Sequence, residues 1–426
     1  MSTAWDRLLL GRLDPVVRRY FLGVALTAVG SGLTLPFLFV YLAKVRDLPT
    51  ATVGLVLAGM GVVGLVTTPL CGALVDRLGA RPVLVGALLV EAVGTALLSQ
   101  VQTVRGAFLV TGAVALGHAW MWPASSSMIP RLVPAALREH VVGLNFMLLN
   151  AGLGVGGLVS ATLVDVGRPR TFEVLYLLDG LTFLGFAAIV LSLPPATGRV
   201  PVDRDRLTLA GWREMLADAT LRRVALTVLL LLTFGYAQVE SGFAAYVVEV
   251  ADLPVWVLGP AFAANTAAIV GGQMVALRVV RGRRRSRVLA ACAAVWAVSW
   301  TLVAVGGLLA TAPAVVLMVV GLAVFGLGET LFSPVHPVLV NDLAPGHLRG
   351  HYDALGSSTW TVAMVLGPAI AGLLIGHGLA ALWVVVTVGG SLAAAVLLLD
   401  LHRHLTDAQD GVAAPSVRVG GPGSGP

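Results

Sequence analysis

The chain alternates long apolar runs with short charged loops, and the length of each run is that of a membrane crossing. About twelve runs approach the roughly 20 residues that a helix needs to cross a hydrocarbon core. They cover residues 19 to 43, 51 to 75, 82 to 100, 106 to 130, 141 to 166, 172 to 194, 223 to 249, 255 to 279, 288 to 310, 314 to 340, 351 to 376 and 379 to 401. The pattern predicts an all-α polytopic membrane protein.

One punctuated stretch occurs twice, 211 residues apart. Ala115-Leu116-Gly117-His118 through Pro123, then Leu132-Val133-Pro134 and Arg138, is answered by Gly326-Leu327-Gly328-Glu329 through Pro334, then Leu343-Ala344-Pro345 and Arg349. Each copy sits between long apolar runs, so the chain divides into two homologous membrane halves, an organisation common in secondary transporters. The copies differ where one carries His118 and the other Glu329, each mid-run where an ionisable group is costly.

Composition and charge sharpen this reading. Of 426 residues, 57% are apolar and 12% charged, too few polar groups to cover a soluble globule, which is roughly a quarter charged. If both termini are cytoplasmic, 23 of the 28 basic residues fall in cytoplasmic segments, and only Lys44, Arg46, Arg105, Arg168 and Arg170 fall elsewhere. The positive-inside rule selects that topology. It also accounts for the +6 charge without nucleic acid, since the run Arg281 to Arg287 lies in a short loop suited to anionic lipid. The first run is long and lacks a small-residue cleavage site, as in a signal anchor. Cys71 and Cys292 form no disulfide or metal framework and read as packing residues.

Residues 1–195 form the first half and 223–402 the second, with a linker over 196–222 and a tail over 403–426 expected to be disordered. Pro194-Pro195 stops the sixth run. After it, Leu209, Trp212, Leu216 and Ala219 recur at helical spacing, an amphipathic linker helix with no specific partner required. The Gly-, Pro- and Ser-rich composition from Gly411 onward is that of a disordered segment.

The loop after the second run reads Gly72-Ala-Leu-Val-Asp76-Arg77-Leu-Gly79-Ala-Arg81-Pro82. Gly72 and Gly79 permit close backbone approach and a tight turn, while Asp76, Arg77 and Arg81 place charge at the membrane surface. Asp76 can cap a neighbouring helix near Gly350 to Tyr352, holding one conformation and releasing in another. This Gly-x-x-x-Asp-Arg-x-Gly-x-Arg loop resembles the signature of the major facilitator superfamily. The repeat and the linker are similar to that family over residues 15 to 402. The resemblance implies two pseudo-symmetric six-helix bundles around a central cavity, with alternating access by rocking of the halves. Arg138 and Arg349, in the repeated copies, join the loop as gate candidates. The loop over Arg278 to Arg287 lacks the family's Asp.

Gly30 to Pro36 in the first run partly resembles the first-helix signature of the twelve-helix drug:proton antiporters. Asn150 to Gly157 resembles their glycine-rich fifth-helix signature without its proline, and Gly152 with Gly156 also serves close helix packing. Ala113 stands where that branch often has an intramembrane arginine.

The family architecture implies that runs one, four, seven and ten line the cavity. Glu329 shares a helical face with Phe325, Phe332 and His336, a setting in which a carboxylate can trade a proton for a cationic compound or remain a neutral hydrogen-bonded acid. Glu240 has Tyr236 and Phe243 about one turn away. His118, followed by Trp122 and Ser125, suits proton relay or helix packing. Glu91 lies on an outer helix and reads as a structural hydrogen bond or a proton site behind the cavity; Asp179 and Asp165 are weaker candidates. Asn150 completes the cavity set.

No phosphate loop, zinc motif or nucleophile elbow is present, so the expectation is a non-enzyme without cofactor or metal, driven by the proton gradient. Its expected partners are a small-molecule substrate, protons and membrane lipids but no nucleic acid, with the protein monomeric. Three readings stand: a proton-coupled exporter of hydrophobic or cationic compounds, a transporter of a specific polar solute, and a lipid-handling or scaffold protein. The arginine and alanine bias, with Lys44 the only lysine, points to a high-GC bacterium and its inner membrane.

Overall fold

The computed structural model describes residues 14–132, 138–194 and 209–412. Its long helices follow the apolar runs. The first bundle consists of Pro15–Val45, Thr50–Leu78, Ala80–Leu98, Val104–Leu132, Arg138–Leu163 and Pro169–Ser192. After the linker helix Leu209–Ala217, the second bundle begins with Ala219–Phe234 and its irregular continuation to Val250. Then come Leu258–Val280, Arg285–Gly306, Thr311–Leu343, Arg349–Gly376 and Ala380–Leu401. We number these twelve segments as spans one to twelve. Asp14 starts span one by accepting from Val16 N–H ahead of Pro15, and Asp218 starts span seven by accepting from Thr220 and Leu221 N–H.

The halves pack by the same scheme. Span one lies on five and six as seven lies on eleven and twelve, and span four contacts two and three as ten contacts eight and nine. The bundles meet through spans two and eleven and through spans five and eight. Small residues set this closeness: a Cβ on Gly54 would collide with backbone atoms of Gly372 and Pro368. Gly152 and Gly156 likewise press span five onto Ala28, Val29 and Gly32 of span one.

These contacts are confined to one end. A continuous apolar core joins Phe37 to Ala43 of span one with Val239 to Val248 of span seven, whereas the arginine-rich end of the first bundle has its own cluster around Tyr20, Cys71 and Phe186. Towards that end span two is largely exposed, and a Cβ on Gly72 or Gly271 would meet nothing within 4 Å. The halves are closed at the end marked by Lys44 and apart at the end marked by Asp76. Lys44 Nζ meets Glu249 Oε2 at 2.8 Å across the closed end.

Two expectations require correction. Residues 403–412 do not form a free tail but fold onto the loop between spans eight and nine. There buried Asp410 accepts from Ser286 N–H and Oγ and faces Arg284, while Arg285 reaches Asp342 at 2.7 Å. The acid missing from that loop's own sequence is thus supplied by the far end of the chain; the remainder of the tail lies outside the described residues. The linker helix also has a partner, since Trp212 lies edge-on to His351, Glu214 meets His347 at 3.0 Å, and Tyr352 Oη donates to Asp218.

Candidate functional site

Spans one and seven break in corresponding places. Pro36 lacks an N–H and clashes with the carbonyl four residues back, so the helix ends at Thr34 and turns through the tighter Leu35–Phe37 segment. In span seven the break is Tyr236–Gln238, where Gln238 donates to Thr233 O and Gly367 O and accepts from Trp383 Nε1. Paired breaks of this kind place irregular backbone and polar groups at mid-membrane depth.

Four ionisable residues come to this level. Glu240 follows the span-seven break and is solvent-accessible although deep in the protein, within electrostatic reach of His118. His118 is likewise accessible, its side chain 58% exposed, and its Nδ1 stands 3.7 Å from Glu91 Oε1 behind it. Glu329 is half-buried, accepts from Asn265 Nδ2 at 2.9 Å, and feels Glu240. Tyr236 closes the aromatic wall, 4.5 Å from the ring of Trp360. Trp122, one turn beyond His118, is exposed, and Asn150 is half-buried on span five.

The aromatic part of the expected cavity changes. Phe325 is fully buried and stacks on Trp296 at 4.8 Å; Phe332 is 7% exposed and packs between Trp296 and His336. Phe243 is buried edge-on to Phe262. These three rings are packing residues instead of cavity walls: Trp296 of span nine projects against span ten and takes up the faces of Phe325 and Phe332, and Phe262 covers Phe243. Trp296, Trp360 and Asn265 were not singled out as neighbours of the acids. Nothing in a single apolar run shows which face a helix turns to its neighbour.

At the Asp76 end, Gly79 adopts φ +92, the left-handed turn that favours glycine. Gly72 makes no close approach, and Asp76 is exposed without a hydrogen bond or ion pair among the described residues. Arg77 is exposed, Arg81 donates to Leu191 O, and the side chains of Arg138 and Arg349 lie outside the described residues.

The closed end holds a second repeat that the sequence reading overlooked. Tyr41-Leu-Ala-Lys44-Val-Arg-Asp47-Leu-Pro49 matches Tyr246-Val-Val-Glu249-Val-Ala-Asp252-Leu-Pro254, 205 residues on. Both copies form a π-turn, both place their Asp at positive φ (52 and 47), and both repeat the same backbone bonds. The pseudo-twofold axis brings the oppositely charged pair, Lys44 and Glu249, into contact.

Two six-helix bundles that pack by one scheme around ionisable groups at mid-membrane depth define a membrane transporter with two related halves. The profile of the Major Facilitator Superfamily matches residues 20–303 and 281–419, and the chain belongs to that family. The uncharacterized MFS-type transporter YhjO of Bacillus subtilis is 23% identical over 371 residues, 85% of this chain and 87% of that protein. The quinolone resistance protein NorA of Staphylococcus aureus is 22% identical, over 90% of this chain and 96% of that one. The nucleoside transporter NupG (D323A mutant) shares the fold at TM-score 0.73 and 16% identity, covering 91% of this chain and 99% of that structure.

Proposed function

We propose that the protein is a proton-coupled exporter of hydrophobic or cationic drug-like compounds. The observation that carries this reading is Glu329, held by Asn265 at the aromatic wall of Tyr236 and Trp360, with Glu240 and His118 facing the same space. A carboxylate there has two exclusive occupants, a proton or an organic cation, which is the elementary condition for antiport. No Lys or Arg stands at mid-span to neutralise the acids. The quinolone resistance protein among the relatives supports the same substrate class.

In this reading the arginine-rich end is cytoplasmic, both termini with it, in a bacterial inner membrane. The conformation is then open to the cytoplasm and latched outside by Lys44 and Glu249. Asp76 makes its cap when the inner ends close.

A specific polar solute would need more free hydrogen-bonding side chains. Gln238 and Asn265, two of the few amides within the spans, are committed to protein partners. The test is flux in proteoliposomes with an imposed pH gradient and a panel of a lipophilic cationic dye, a neutral hydrophobic antibiotic and a nucleoside. Dye movement that collapses with a protonophore supports the proposal. Nucleoside movement with dye indifference overturns it in favour of a polar solute, and silence across the panel points away from coupled export.

A further inference from the structure

Behind His118, inside the first bundle, lies a small chamber of about 20 Å³ with polar groups set in apolar walls. Besides leucine and valine side chains and Ser31, its lining includes Thr34 of span one, Glu91 and Thr95 of span three, His118 of span four, and Tyr176 and Asp179 of span six. Glu91, Tyr176 and Asp179 are each at most 3% exposed. Asp179 is satisfied by local hydroxyls, accepting from Thr34 Oγ1 at 2.6 Å and from Thr182 Oγ1. Two buried atoms are not: Glu91 Oε2 and Tyr176 Oη have no hydrogen-bond partner.

An unpaired carboxylate oxygen and an unpaired phenol at one chamber constitute an acceptor and a donor waiting for the same guest. Leaving both bare in a dry interior is costly, and a chamber above about 10–15 Å³ holds one water. The groups facing the pair from the packed elements are His118, Tyr41 with Arg46 near the closed end of span one, and Glu240 across the cavity. Two carboxylates near one imidazole leave net negative charge in a low-dielectric interior, and either a proton or a bound cation relieves it. The imidazole at the wall and the room for a single water favour the proton, because hard metal cations take all-oxygen shells.

We propose that this chamber is a proton-binding site separate from the drug site. One water accepts from Tyr176 Oη and donates to Glu91 Oε2, and Glu91 and Asp179 share a proton through it. His118, open to the cavity on one side and 3.7 Å from Glu91 on the other, is the entrance. A hydronium in the cavity loses an O–H bond as an N–H bond forms on the imidazole, an N–H bond of the imidazolium then breaks as an O–H bond forms on Glu91, and a neutral water and a neutral imidazole remain. The two halves then divide the work, with protons held in the first bundle and substrate at Glu329 in the second.

This deepens the exporter reading and rests on it for its physiological meaning, but the site has its own readout. Full-length protein in nanodiscs is titrated from acid to neutral pH, and the infrared carbonyl band of protonated carboxyl groups is followed in wild type, Glu91→Gln, Asp179→Asn and Tyr176→Phe. Glu91→Gln and Asp179→Asn should each remove intensity from that band, and Tyr176→Phe, which deletes one oxygen and disturbs the fold least, should shift its frequency. Tetraphenylphosphonium binding should stay within about twofold of wild type in all three, which also reports that they fold. A band unchanged in Tyr176→Phe and Asp179→Asn overturns the proposal, as does a band displaced by sodium at constant pH, which would make the chamber a cation site. If the band behaves as expected but wild type moves no dye in proteoliposomes, the exporter reading fails and the proton site stands.

Discussion

Gly117 and Gly328 occupy the same place in the two halves, and the space beside each is filled by opposite chemistry. A Cβ on Gly117 would run into Glu91 Oε2 and Glu91 N, and a Cβ on Gly328 would run into the indole of Trp296. In the first bundle, therefore, span three sends a carboxylate against span four, and a chamber with polar groups forms. In the second, span nine sends an indole against span ten, and Phe325, Phe332 and Tyr236 gather around it. The lesson is that the duplicated scaffold conserves clearances and leaves their contents free. Pseudo-symmetry predicts where a side chain will sit but not what it does there.

The comparison can be broken most severely at Glu329. Glu329→Gln should cut pH-driven export by at least about a hundredfold while leaving the protein folded, as removal of an essential exchange group does. Gradient-driven flux of the variant at the wild-type rate would remove the second half's claim to the exchange site. Next in size, Trp296→Ala should lower stability by about 3 kcal/mol through the cavity left under Phe325, read as a drop in thermal unfolding temperature. Glu91→Gln, its counterpart, should stay within about 1 kcal/mol because shape and volume persist. Equal losses in the two would show that the neighbouring contents matter less than the clearance itself. Gly117→Ala should cost about 1–3 kcal/mol, since the new methyl meets the backbone atoms Glu91 N and Ala87 O as well as the Glu91 carboxylate tip, and the backbone cannot swing aside.

The smallest effect belongs to the closed rim. With side chains 35% and 23% exposed, Lys44 and Glu249 contribute no more than about 1 kcal/mol, so Lys44→Glu should shift the inward-to-outward population only a few-fold. Distances between spin labels on spans one and seven would report it, and the swap Lys44→Glu with Glu249→Lys should restore the wild-type distribution.

The apolar runs carried most of the architecture in advance. All twelve segments lie where their lengths put them, because in lipid a helix of about 20 apolar residues has few alternatives. What failed were questions of facing. Phe243 and Phe325 belong to helices apolar on every side, so no stripe distinguished the cavity face from the packing face. Asp179 looked like a peripheral acid of an outer span, since its link to Thr34, 145 residues earlier, depends on the bend that Pro36 introduces. The Tyr41 and Tyr246 repeat was present in the sequence. Its oppositely charged members, a lysine and a glutamate, become meaningful only when an axis brings them together.

Lys44 is the only lysine of the chain, and it stands in an ion pair that joins the tips of spans one and seven. Side-chain amine chemistry therefore has a single address on this protein. A reagent that attacks free amines would find that nitrogen held as an ion-paired ammonium while the rim is shut and released each time it parts. Its rate of labelling would count openings of one gate, in intact membranes, without an introduced cysteine or dye.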